Sequence, residues 1–120
     1  MVLIVERDVA VARRAVAKAM DGIGAKATLK TRFVTAVSEI ARNALIHGGG
    51  GRLTAFSDGK LVYVECRDDG PGIPDVTAAL KDGFSTAKSL GKGLGGAKRL
   101  VARFEIHSGP GGTMVRMASG

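Results

Sequence analysis

The chain has 120 residues, 45% hydrophobic and 24% charged, a size and composition that predict one compact domain and leave no room for a second core. Lys and Arg number 18 against 11 Asp and Glu, giving +7, which favours acidic partners: nucleotides, nucleic acid or an acidic protein face. No stretch approaches the roughly 20 apolar residues that cross a bilayer, and Val2-Leu-Ile-Val5 runs straight into Glu6 and Arg7, too short for a signal-peptide core, so a soluble cytoplasmic protein is predicted. With a single cysteine, Cys66, an internal disulfide or a cysteine metal site is excluded, and its apolar neighbours mark it as a small core residue.

Residues 2–5 read as a short strand, and Val9, Val11, Ala12, Ala15, Val16, Ala19 and Met20 recur at roughly helical spacing, predicting a helix over about 8–21 that stops at Asp21-Gly-Ile-Gly24. Leu29, Phe33, Val34, Val37, Ile40, Ala41, Ala44 and Leu45 form one apolar stripe on a long helix over 27–47, ended by Gly48 to Gly51. From 52 to 67 two strands flank an Asp58-Gly59 turn, the signature of a hairpin. Asp68-Asp-Gly-Pro-Gly-Ile-Pro74 is a turn-rich tip, and 75–81 can form a short helix capped by Asp75. Residues 82–93 have the glycine-rich composition of a mobile loop that could act as a lid, a helical pattern resumes over 94–103, and 104–107 with 113–117 make a terminal hairpin. Hairpin-joined strands with helices to cover one face give an α+β sandwich of two layers, not an alternating βαβ protein.

Three polar clusters stand out. Glu39, Asn43 and His47 are spaced by four and share one helix face, a pattern that a solvated surface row also satisfies. Asp68, Gly70 and Gly72 follow a strand, where an acidic side chain can read an amine and glycines let backbone approach a ligand; an ordinary turn has the same composition. Gly91-Lys-Gly-Leu-Gly-Gly96 precedes a helix, whose free N–H groups suit a phosphate. It matches G-x-G-x-x-G, but no preceding strand or βαβ unit supports a dinucleotide fold, and Lys92 is followed by Gly93 instead of the Ser or Thr of a P-loop.

Taken in order, Glu39-Ile-Ala-Arg-Asn43-Ala-Leu-Ile-His47, Asp68-x-Gly70-x-Gly72, Gly91-x-Gly93-Leu94-Gly95 and Gly112-Thr113 resemble the N box and glycine boxes of the GHKL ATPase superfamily, over nearly the whole chain. Thr35-Ala-Val-Ser-Glu39, Asp82-Gly-Phe-Ser-Thr86 and Leu94-Gly-Gly-Ala-Lys-Arg-Leu100 resemble its RsbT-type serine/threonine kinases of bacterial stress signalling. The resemblance implies a Bergerat-type sandwich, with a mixed, mostly antiparallel sheet, that binds ATP and Mg²⁺. Asp68 would bind the adenine amine, with Gly70, Gly72 and Thr113 supporting the base, and Asn43 would ligate Mg²⁺. Gly91, Lys92, Gly93, Leu94 and Gly95 would enclose the phosphates, and Glu39 would be the general base. His47 would order the helix end, because a phosphorylated histidine belongs on a separate helical domain, and His107, in a predicted strand, reads as structural. Arg42 reads as a surface or partner-binding residue, as do Arg13, Arg14 and Lys18.

The resemblance further implies a kinase acting on Ser or Thr of an STAS-domain antagonist and, once released, activating a PP2C-type phosphatase. An alternative is an anti-sigma factor that sequesters a sigma factor and phosphorylates its anti-anti-sigma partner. The branch's members end in a basic, aromatic tail where this sequence reads Arg116-Met-Ala-Ser-Gly120. A nucleic-acid binder is disfavoured, because aromatics are 4% and no stacking platform or zinc pattern is present.

Overall fold

The computed structural model describes residues 1–73, 75–80 and 93–120. Its elements are β1 (Val2–Leu3), α1 (Glu6–Gly22), α2 (Ala27–Gly48), β2 (Gly51–Ser57), β3 (Val62–Asp68), α3 (Val76–Ala79), α4 (Gly93–Leu100), β4 (Arg103–Gly109) and β5 (Gly112–Ala118). The strands form one sheet in the order β1-β2-β3-β5-β4. Every neighbouring pair is antiparallel, so the expected mixed sheet is corrected to an antiparallel one: hairpins join β2 to β3 and β4 to β5, and β3 meets β5 antiparallel as well.

The first strand is shorter than its apolar run because the backbone N–H groups of Ile4 and Val5 turn away from the ladder and donate to the Asp8 carboxylate at 2.8 and 3.0 Å. Those bonds occupy donors just ahead of the helix, hold the Asp8 carboxyl below its usual range, and start α1 at Glu6. Val9, Ala12, Val16 and Met20 then bury one stripe of α1. The stripe of α2, with Phe33, Ala36, Val37, Ile40, Ala41 and Ala44 buried, lies beside it, and Lys30 of α2 reaches Asp21 of α1 at 2.9 Å. Gly49 ends α2 in the left-handed conformation (φ 74°), which glycine adopts without steric cost.

Both helices and α4 cover one face of the sheet. Leu53, Val62, Val64, Cys66, Val115 and Met117 point into that layer and join Leu3, Phe33, Ile40 and Leu94 in a single core. Burial pushes the Cys66 thiol up to about 12, with the charge of Asp68 adding to the effect, so the thiol is a packed core group as expected. On the opposite face Glu65, Arg116, Glu105 and His107 form a charged ladder, with His107 Nε2 at 2.8 Å from Glu105. His107 is thus a surface side chain.

The turn between β2 and β3 is wider than a two-residue hairpin. Asp58 Oδ1 accepts from the N–H groups of Lys60 and Leu61 (2.9 and 2.8 Å) and Oδ2 from the Tyr63 hydroxyl (2.9 Å), while Tyr63 stacks on Phe56 with centroids 4.9 Å apart. At the other hairpin the strands run further than their apolar residues suggest, pairing Ser108 with Thr113 and Gly109 with Gly112, so that only Pro110 and Gly111 turn. The helix expected over 75–81 is four residues long, and the one expected over 94–103 is Gly93–Leu100, closed before Arg103 enters β4. The expected lid over 82–93 lies outside the described residues except for Gly93.

Candidate functional site

Two strand ends and the last turn of α2 meet at one end of the sandwich. Asp68 is the last residue of β3, half-buried, and its register partner on β5 is Thr113. The Asp68 Oδ1 atom accepts from the Gly70 N–H at 2.9 Å, which fixes one carboxylate oxygen and leaves the other available to an external donor. Its side chain lies directly on the backbone of Gly48: a Cβ on Gly48 would stand 2.5 Å from Asp68 Cβ and 2.7 Å from Oδ1. A Cβ on Gly70 would stand 2.7 Å from Gly48 Cα. The end of α2 and the turn after β3 therefore touch at a spacing that only glycine permits.

The tip after β3 is anchored on the terminal hairpin. Gly72, at φ 83°, packs its Cα onto the Gly109 carbonyl oxygen with no room for a side chain. The next N–H, of Ile73, donates to Ser108 Oγ at 2.7 Å, and Ser108 Oγ lies 2.7 Å from Thr113 Oγ1. Asp68, Gly70, Gly72 and Thr113, chosen from the sequence, thus form one continuous floor with Gly48. Ser108 was missed. Its signal was available, because Ser108 continues the inward alternation of Phe104 and Ile106, and Thr113 that of Val115 and Met117, so two facing core positions are polar.

The α2 row runs inward from this floor. His47 is exposed, Asn43 half-buried and Glu39 only 6% exposed, so the row plunges into the protein instead of lying on its surface. At the helical rise, Asn43 and Glu39 stand about 7 and about 13 Å along the axis from Gly48. The Asn43 side chain makes no hydrogen bond among the described residues, leaving its amide oxygen open. Glu39 has one cation within ion-pair distance among the described residues, Arg42, whose Nη1 is 3.9 Å from Oε1. Arg42, expected at the surface or at a partner face, has a side chain 22% exposed, and its Nη2 and Nε lie 3.1 and 3.3 Å from Glu6 Oε1 on α1.

The last predicted element is the helix start. Gly93 opens α4, and Leu94, Gly95, Gly96 and Ala97 are buried where α4 packs against α2. The first N–H groups of such a helix have no partner within it. Gly91 and Lys92 lie outside the described residues.

A family model described as "Histidine kinase-like ATPase domain" matches residues 5–119. The chain belongs to that family. Among curated relatives it is 36% identical over 110 residues to "Serine/threonine-protein kinase RsbT" of Bacillus subtilis (strain 168), covering 88% of this chain and 83% of the relative. It is 35% identical over 92 residues to "Anti-sigma F factor" of Thermoanaerobacter sp. (strain X514), covering 69% of this chain and 64% of that one. The histidine kinase domain of the blue-light activated histidine kinase from Erythrobacter litoralis EL346 superposes with TM-score 0.59 at 21% identity, over 92% of this chain and 63% of that domain's chain, and so shares the fold. Two-layer architecture, antiparallel sheet and helical cover are those of a histidine kinase-like ATPase.

Proposed function

We propose that this histidine kinase-like ATPase is an ATP-dependent protein serine/threonine kinase of a partner-switching module. The observation that carries the reading is the glycine-lined floor around Asp68, continuous with the buried row of α2. Asp68, with Oδ1 held by Gly70, accepts the adenine amine through its second oxygen, and Gly72 and Thr113 shape the base's seat. Gly93, Leu94 and Gly95 open α4 toward the phosphates, and Gly91 and Lys92 precede them in sequence.

The donors present fit Mg²⁺. Magnesium is usually held by one or two protein oxygens with substrate phosphates and water completing an octahedron, and Asn43 offers an unshared, neutral amide oxygen. When bound, the ion neutralises charge on the triphosphate. Glu39, one turn deeper, accepts the proton as a Ser or Thr hydroxyl oxygen bonds to the γ-phosphorus; the bond from that phosphorus to the bridging oxygen breaks, and ADP leaves. Glu39 is suited to this because it is buried and its carboxylate has no hydrogen-bond donor within reach among the described residues.

The acceptor is an STAS-domain antagonist. Phosphorylation adds about −1.5 to −2 charge to its surface, disrupts the complex and frees this kinase to activate a PP2C-type phosphatase in the cytoplasm. The relative named as a serine/threonine kinase, matched over 88% of this chain, supports the kinase activity in this reading. The relatives named as anti-sigma F factors support a second, in which the protein sequesters a sigma factor and phosphorylates an anti-anti-sigma partner. The test is incubation with labelled ATP and purified STAS-domain proteins encoded beside it, with and without a PP2C phosphatase or a sigma factor. Transfer to Ser or Thr is expected, and Glu39→Gln should keep nucleotide affinity while slowing transfer about 10²-fold. A Glu39→Gln protein that transfers at the wild-type rate refutes the assigned base.

A further inference from the structure

The Glu6, Arg42, Glu39 chain links the first turn of α1 to the buried carboxylate of α2, and nothing in the floor around Asp68 requires it. An arginine three residues from a glutamate on one helix can close directly onto it. Here it does not. Two nitrogens of the guanidinium, Nε and Nη2, converge on a single oxygen of Glu6, and Nη1 is left 3.9 Å from Glu39 Oε1, beyond hydrogen-bond distance. Glu6 itself is 68% exposed, so the pair adds little to stability, whereas the Arg42 side chain is mostly covered.

We propose that Arg42 is a positioning residue for phosphoryl transfer, held by Glu6 at a distance from which its positive charge faces the buried Glu39 carboxylate without occupying the lone pair that takes the proton. The inference rests on Glu39 being the base. A carboxylate tied in a bidentate arginine pair has its oxygens engaged, whereas a general base needs a free lone pair. The tether to Glu6 provides that arrangement: charge within about 4 Å, hydrogen bonds directed elsewhere. Glu6 and Arg42 thereby act on the chemistry through Glu39 and touch no nucleotide.

The test measures single-turnover release of inorganic phosphate from Mg-ATP, with water as the acceptor, alongside nucleotide affinity by calorimetry. Arg42→Gln is expected to slow release by about tenfold or more with affinity unchanged within about twofold, and Arg42→Lys to recover most of the rate. Glu6→Gln is expected to slow release about threefold to tenfold, because the freed guanidinium closes onto Glu39. In a Glu39→Gln background, Arg42→Gln should cost nothing further, since both act on one group. Arg42→Gln at wild-type rate while Glu39→Gln is slow, or an equal loss from Arg42→Gln in both backgrounds, overturns the proposal and leaves the base assignment standing. Wild-type release by Glu39→Gln overturns the base assignment itself. If Arg42→Gln fails to fold, Glu6→Gln and Arg42→Lys decide: wild-type release by the first, or no activity in the second, counts against the proposal.

Discussion

Replacing Gly48 with alanine adds one methyl group to the floor of the pocket and no chemistry. In the last turn of a helix that change alone stabilises by roughly 0.5–1 kcal/mol, because glycine loses more backbone freedom on folding than alanine does. The new Cβ, however, would stand 2.5 Å from Asp68 Cβ and 2.7 Å from Oδ1. Rotating the Asp68 side chain would clear Oδ1 but not Cβ, so relief requires the backbone at the end of β3 or of α2 to shift as well, and overpacking of this kind costs about 1–3 kcal/mol. The two effects offset to within about 2.5 kcal/mol, so Gly48→Ala remains folded. What it loses is the Asp68 to Gly70 hydrogen bond and, with it, the oriented carboxylate. A hydrogen bond to a charged group is worth about 1.5–3 kcal/mol, equivalent to roughly a tenfold to hundredfold loss in Mg-ATP affinity. Calorimetry with Mg-ATP, with a thermal melt to show that the protein is folded, measures this. Gly22→Ala, where the added Cβ meets no atom within 4 Å, is the control and should bind normally. A folded Gly48→Ala protein with wild-type affinity refutes the placement of the base on Asp68.

Three further outcomes are expected. Asn43→Ala should bind ATP no better with Mg²⁺ than without it, read by titrating nucleotide in the presence and absence of the ion; a preserved magnesium effect removes Asn43 from the metal's ligands. Cys66, with its thiol pushed up to about 12 by burial, should resist a maleimide at pH 8 in the native protein and react once denaturant is added, so rapid native labelling contradicts the packing. The carboxyls of Asp8 and Asp58 are both lowered from 3.8 by the backbone N–H groups they accept, and Asp58 also by Tyr63. Their contribution to stability is present above pH 3.8 and lost as the pH falls through the lower folded values. The stability difference between wild type and Asp58→Asn should be flat at neutral pH and shrink below that point; a difference that grows on acidification contradicts the assignment.

The sequence alone made the two-layer arrangement readable because each long helix carries one apolar stripe and the hairpins announce themselves through Asp58-Gly59 and Pro110-Gly111. Boundaries failed where a side chain captures backbone donors: Asp8 shortens β1, and Asp58 widens its turn. Those bonds are invisible to periodicity. The site showed a similar division. Asp68, Gly70, Gly72 and Thr113 were legible as a motif, yet Gly48 and Ser108 acquire meaning only when α2 and β4 are brought beside them. The link from Arg42 to Glu6 was not legible either, because the two residues lie 36 positions apart on different helices.

The crowding at Gly48, Gly70, Gly72 and Gly112, where a side chain would run into Asp68 or into the main chain of Gly48, Gly109 and Asp68, has a consequence for genetics. At Gly22, Gly109 and Gly111 the same replacement meets empty space. A random mutagenesis screen scored on lost signalling would therefore recover, as its harshest hits, positions that carry no reactive atom. Space rather than reactivity limits what these positions tolerate, and sparing them would matter more in engineering an altered nucleotide preference than preserving much of the charged exterior.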